Sequence, residues 1–281
     1  MSGLVRPARR PDGWTPPGPK PPGPRGRADL LPKDDEDLCY LSGDWRLFQK
    51  VKGHRWSLDD LVTAWTAVEH LDARRAAGPA RALDLGCGLG SVLLMLAWRA
   101  PDLDVTGVEA QPERASMARR SIAFNGVEGR CRVLDGDLRT LALDAGFALV
   151  TGTPPYFPKG TGTEAAAEHV SACRFEHRGG VEAYLEAAAR HLRDDGLFVM
   201  CAAKAEDQRV RAFRSPLQVR GLRHVVPREG KAPLLSIWRF SRQPGPLAED
   251  TLVVRDASGQ WTDAFRRVRR ELGLPDAPPR R

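Results

Sequence analysis

The sequence lacks most features that would remove it from the ordinary globular class. None of its apolar runs approaches the roughly 18 residues that a membrane-spanning helix requires, so no such helix is expected. Cysteine is scarce. Cys39, Cys87, Cys131, Cys173 and Cys201 are odd in number and include no C-x-x-C pair, which excludes a disulfide framework or a zinc ribbon and fits a reducing cytoplasm. The opening MSGLVRPARRPDGW is positively charged with no apolar run behind it, so no secretory signal is expected. His54, His169 and His177 show no metal-ligand spacing, so no metal is expected either.

What is present is unevenly spread. Residues 1–27 hold six basic residues and one acid, and Arg280 and Arg281 end the chain, which together account for the whole net charge of +7. Basic ends of this kind suit loose contact with a polyanion, or simply aid solubility. Residues 1–32 contain nine prolines and almost no apolar periodicity, a composition that predicts a disordered or polyproline-like segment. The expected organisation is therefore a disordered Pro/Arg-rich tail over 1–35, one domain over 36–274, and a short basic tail over 275–281.

From residue 36 onward the pattern alternates. Ser57 followed by Asp60 reads as a capping box opening a helix with Leu61, Val62, Trp65 and Val68 on one face. Strands are expected at 81–85, 104–108, 130–134, 147–151, 197–202, 234–240 and 252–254. Helices are expected at 92–98, 112–125 and 181–192. Short apolar runs separated by helices predict an α/β, Rossmann-like domain, a mostly parallel twisted sheet with helices on both faces.

The first of these strands runs into ALDLGCGLGSV, residues 82–92. Gly86, Gly88 and Gly90 stand at a strand-to-helix turn, where absent β-carbons let a ligand approach the backbone. Glu109 ends the next strand, where a carboxylate accepts hydrogen bonds from ribose hydroxyls. Ser91 stands where a nicotinamide fingerprint wants Gly or Ala. Asp84 is an awkward neighbour for a pyrophosphate but suits a cationic amino group. The loop therefore points to S-adenosylmethionine, with a dinucleotide or a ligand-free structural turn as the competing readings. Asp137, after the third strand, is a candidate for the adenine ring, and Asp135 competes with it.

At the end of the fourth strand stands VTGTPPYFP. Thr153, Pro154, Pro155 and Tyr156 supply a rigid turn, carbonyls without competing amides, and an aromatic face at the carboxyl edge of the sheet. Such a corner can hold a planar amine by its hydrogens and aim its lone pair at a methyl donor. The glycine loop and T-P-P-Y corner resemble class I methyltransferases with an (N/D/S)-P-P-(Y/F/W) motif. FQKVKGHRWSLDDLVTAW, Cys173-Arg174-Phe175-Glu176, REGKAPLLSIWRFSR and LVVRDASGQWTDAF are similar, in order, to segments of the bacterial valine-tRNA adenine-N6 methyltransferase family. That resemblance implies methylation of an adenine amine in tRNA and a first helix, led by Trp56-Ser57-Leu58-Asp59, that lines the cofactor pocket, with Asp59 facing it. The motif normally opens with Asn; here Thr153 replaces it. Methylation of a protein glutamine or a small molecule, and a cofactor-binding protein without catalysis, stay open as alternatives. Arg209, Arg211, Arg214, Arg220 and Arg223, with Arg266, Arg267, Arg269 and Arg270, are read as an RNA-facing surface or an ordinary solvated one. Cys87 is read as a small filler.

Overall fold

The computed structural model describes residues 3–7, 10–53, 55–73, 80–155 and 179–277. Among them, an eight-stranded sheet is built from β4 (Ala80–Leu85), β5 (Leu103–Glu109), β6 (Cys131–Asp135), β7 (Phe147–Gly152), β8 (Leu192–Ala203), β9 (Gln218–Val226), β10 (Leu235–Ser241) and β11 (Ala248–Val253), in the order β11-β9-β10-β8-β7-β4-β5-β6. Only β10 runs against its neighbours on both sides. The chain moves outward from β4 in one direction through β5 and β6 and in the other through β7 and β8, so the strand order reverses between β4 and β7. Open α/β sheets hold their ligands at such a switch point.

Two apolar layers cover the sheet because successive side chains point to opposite faces. Leu83, Leu85, Phe198, Met200 and Trp238 face helices α4 (Val181–His191) and α5 (Asp207–Ala212). Ala82, Val199, Cys201 and Ile237 face α1 (Leu58–Ala73), α2 (Ser91–Arg99), α3 (Pro112–Asn125) and α6 (Asp263–Glu271). Helix starts and stops follow local chemistry. Pro112 opens α3, and Gly126 at φ 71° closes it, where a left-handed residue satisfies the last carbonyls. Thr262 caps α6 by accepting from the Phe265 amide at 3.1 Å.

A smaller sheet was not expected. β1 (Leu4–Val5), β2 (Glu36–Tyr40) and β3 (Arg46–Lys50) pair in that order and lie on α3. The N-terminal segment also departs from the expectation of a disordered tail. Leu30 is buried, and Gly23 donates its amide to the Phe124 carbonyl at 3.1 Å. Arg120 of α3 explains why this proline-rich strap settles. Its guanidinium donates to the Asp29 and Leu31 carbonyls, each at 2.7 Å, and grips both oxygens of the buried Glu36 carboxylate at 2.9 and 2.7 Å. The strap thus finds donors for its carbonyls without apolar periodicity, and its prolines reduce the entropy lost on ordering. Asp37 adds a second anchor. Burial opposes its charge, but bonds from Arg6, Arg55 and Gln49 prevail and hold its carboxyl below the usual range.

Among the described residues no helix is long and apolar enough to cross a membrane. Replacing Leu30 with Ala should destabilise the fold by about 2–5 kcal/mol. Urea denaturation should show a lower midpoint at unchanged slope, and an unmoved midpoint would mean that the strap does not contribute to the core.

Candidate active site

The site is built where β4, β5 and β7 end. Gly86, Gly88 and Gly90 have φ of 60°, 57° and 83°, a region L-residues rarely adopt. A β-carbon at Gly86 would lie 2.2 Å from the Tyr184 hydroxyl, whereas one at Gly88 would find no described atom closer than 4.0 Å. Gly86 is therefore required by packing, while the space above Gly88 is open. That open space is the cradle a ligand needs.

Two buried carboxylates flank the cradle. Glu109 accepts from the Gly88 amide through Oε2 at 2.9 Å and from the Gln111 amide through Oε1 at 2.8 Å. Each oxygen keeps a lone pair for a further donor. Asp84 accepts from the Thr151 hydroxyl through Oδ1 at 2.7 Å, and its Oδ2 is buried with no partner. Burial pushes its carboxyl up to about 7, against the pull of the Thr151 bond. The donor set suits a ligand that offers hydroxyls to Glu109 and a cationic group to Asp84. Arg114 of α3 is buried nearby, where the charge of Glu109 partly offsets the burial that lowers its pKa.

The first helix meets the loop through Asp60. Asp60 is buried and accepts from Ser91 Oγ at 2.9 Å and from the Ser57 amide at 2.9 Å. Burial, with Asp59 and Asp84 nearby, raises its carboxyl well above the ordinary range. Asp59 lies outside this pairing and accepts from the Ser57 hydroxyl. Ser91 therefore ties the glycine loop to α1. Asp137 takes the Arg139 amide and guanidinium, at 2.9 and 2.6 Å, while Asp135 pairs with Arg119. Cys87 is buried with its thiol pushed well up by burial, and a β-carbon at Gly107 would strike its sulfur, which fits a packing role.

Thr153, Pro154 and Pro155 follow β7 directly, with Pro154 buried and the other two partly exposed. Tyr156, the Cys173–Glu176 element, His54, His169 and His177 lie outside the described residues. Three groups in the site escaped the sequence reading, and a fourth, Asp60, was read only as a helix cap. Thr151 and Arg114 carry no motif. Tyr184, from α4, inserts between the glycine loop and the proline corner: a β-carbon on Gly152 would sit 2.6 Å from its ring. The glycine before T-P-P was the available signal for a ring at that place.

Much of the arginine-rich surface is internally engaged. Arg209 grips Glu182, Arg223 is buried between Glu69 and Asp250, and Arg267 and Arg270 pair with Glu271 and Asp276.

Residues 82–174 match a family described as a methyltransferase domain. A tRNA1(Val) (adenine(37)-N6)-methyltransferase of Tolumonas auensis is 30% identical over 212 residues, covering 73% of this chain and 83% of that protein. One from Haemophilus influenzae is 27% identical over 217 residues, covering 76% and 88%. A solved structure described as a predicted O-methyltransferase, from Agrobacterium tumefaciens, shares the fold with a TM-score of 0.58 at 20% identity, covering 77% of this chain and 98% of that one.

The Tyr184 wedge makes a direct prediction. Gly152→Ala should destabilise by about 1–3 kcal/mol through overpacking against the ring. Combining it with Tyr184→Ala should cost less than the two single changes added together, with a coupling of about 0.5–3 kcal/mol in a thermal or urea double-mutant cycle. Strict additivity would place the ring elsewhere.

Proposed function

The chain belongs to the family of tRNA1(Val) (adenine(37)-N6)-methyltransferases, and on that premise we propose that it transfers a methyl group from S-adenosylmethionine to the exocyclic amine of an adenine in tRNA. The observation that carries this reading is the placement of the Thr153-Pro154-Pro155 corner beside the glycine loop, at the seam where the strand order reverses. A tRNA substrate also fits a cytoplasmic enzyme.

The chain's own residues divide the work. Gly88 and the open space above it admit the cofactor, Glu109 takes its ribose hydroxyls, and Asp84 takes its ammonium group. S-adenosylmethionine supplies an activated methyl on a sulfonium that is already a good leaving group. The adenine amine is a weak nucleophile because its lone pair is delocalised into the ring. The Thr153 hydroxyl and the Pro154 carbonyl accept hydrogen bonds from its two N–H groups, which turns the lone pair out of the plane and toward the donor, and the methylated nitrogen then gives up one of those protons to water. Positioning then provides most of the acceleration. Tyr156 is placed in sequence to stack on the base, and Asp137 to meet the cofactor's adenine.

Single-turnover methyl transfer into total tRNA tests the corner. Thr153→Asn restores the acceptor usual for the motif and should speed transfer about fivefold, the equivalent of ~1 kcal/mol of added hydrogen bonding. Thr153→Val keeps the branched shape without the hydroxyl and should slow transfer while leaving cofactor affinity unchanged. Equal rates in all three proteins would detach residue 153 from the reacting group, and labelling of protein rather than RNA would redirect the reading to glutamine.

The raised carboxyl of Asp84 predicts a pH dependence. The folded chain holds this proton up to about 7, whereas the unfolded chain releases it near 3.9. Stability of the unliganded fold therefore falls from this group as pH rises from ~4 to ~7. A cationic ligand favours the ionised form, so affinity should rise about fivefold between pH 6 and 7 in titration calorimetry with S-adenosylhomocysteine. Asp84→Asn should flatten that rise, and an unchanged pH profile in the variant would remove Asp84 from the ammonium.

A further inference from the structure

A second cavity lies beside the far end of α2. Its volume is about 390 Å³, and the N-terminal strap, the β2–β3 turn and the segment after α6 form its walls. This is the size range of small-molecule sites. α2 leaves the glycine loop at Ser91, and Trp98 near its far end packs against Gly43 and Gly273 at the cavity. The length of that helix, about 13 Å at 1.5 Å per residue, separates the cavity from the cradle above Gly88. The two sites are distinct.

Among the described residues the walls carry arginines and no acid. Arg6, Arg10 and Arg269 line the cavity, with Trp14, Tyr40 and Leu274 as its flat and apolar parts. Arg6 and Arg10 have partners outside the lining, Asp37 at 2.7 Å and Asp44 at 2.6 Å. Arg269 differs. Its Nε donates to the Pro275 carbonyl at 2.5 Å and its guanidinium lies 4.1 Å from the Trp261 ring centroid, yet no described carboxylate pairs with it. Burial lowers its pKa to about 10, and the charge of Asp276 offsets that only in part. Arg269 is partly exposed, and a guanidinium presents parallel N–H groups that match phosphate oxygens.

We propose that this cavity binds the phosphate of a nucleotide, with Arg269 and Arg10 as its donors and Trp14 beside the attached nucleoside. The nucleotide is either free or part of an RNA chain. Only the RNA source rests on the tRNA reading above.

Adenosine monophosphate titrated into the full chain, with the cofactor site saturated by S-adenosylhomocysteine, provides the first arm. Saturable binding is expected, weakened at least tenfold in Arg269→Gln and in Arg10→Gln. The affinity for S-adenosylhomocysteine should be unchanged in both. Arg10 stands on the strap rather than in the core, so its variant keeps the test valid if the Arg269 change impairs folding. Total tRNA at about 150 mM salt provides the second arm. A tenfold loss there without measurable binding of the mononucleotide supports the proposal and assigns the phosphate to RNA. If both variants bind both probes as the parent does, or if the parent binds neither probe, the proposal is overturned. Neither arm measures methyl transfer, so a failure of adenine methylation and a failure of this pocket are read separately.

Discussion

The Thr151 hydroxyl and the Asp84 carboxylate meet across the seam between β4 and β7, and the site depends on that contact. A carboxylate buried to this depth takes one short side-chain donor, and its second oxygen has no hydrogen-bond partner among the described residues. Such a group is expensive to bury. The fold concentrates that cost at the place where the strand order reverses, with Glu109 on the next strand bonded to the loop's own amides. The glycine loop, the proline corner and α1 are all fixed relative to this pair. Ser91 links the loop to Asp60, and the Tyr184 ring fills the gap between Gly86 and Gly152. Preorganisation comes from packing around an unsatisfied acceptor, which a cationic ligand then completes.

The sheet was readable because its strands are short apolar runs with turn signals between them. Asn125-Gly126 marked the end of α3, and Pro112 its start, because both act locally. The strap was unreadable for the opposite reason. Residues 10–32 have no periodicity of their own, and what orders them is Arg120, some ninety positions away, offering donors to carbonyls that proline-rich backbone cannot pair internally. The strands β2 and β3 were missed similarly: EDLCY and RLFQK mix charged and apolar residues, and Glu36 and Asp37 are buried only because arginines reach them.

The site divides along the same line. Gly86, Gly88, Gly90, Asp84 and Glu109 were legible, since loop chemistry and strand ends specify them locally. Asp60 was legible only as a helix cap, because its bond to Ser91 depends on how α1 packs against the glycine loop. Tyr184 illustrates a third kind of limit. Its residue type is ordinary for an amphipathic helix, and only the absence of a β-carbon at two separate loops reveals what it does. The arginines of α5 and α6 looked like a basic surface, yet carboxylates engage several of them, Glu182 from a separate helix and Glu271 and Asp276 from nearby in the chain.

The closure of the chain on itself has a consequence for folding. The Gly43 amide bonds to the Gly273 carbonyl at 2.8 Å, and Arg46 exchanges bonds with Asn125. The β2–β3 turn is thus completed only when a partner about 230 positions away in the sequence is in place. Contacts so far apart in sequence form slowly, and until then the Gly43 amide stays solvated. The proline-rich, positively charged strap beside it suits that wait, because it offers neither a sticky apolar run nor a long free edge to a neighbouring chain.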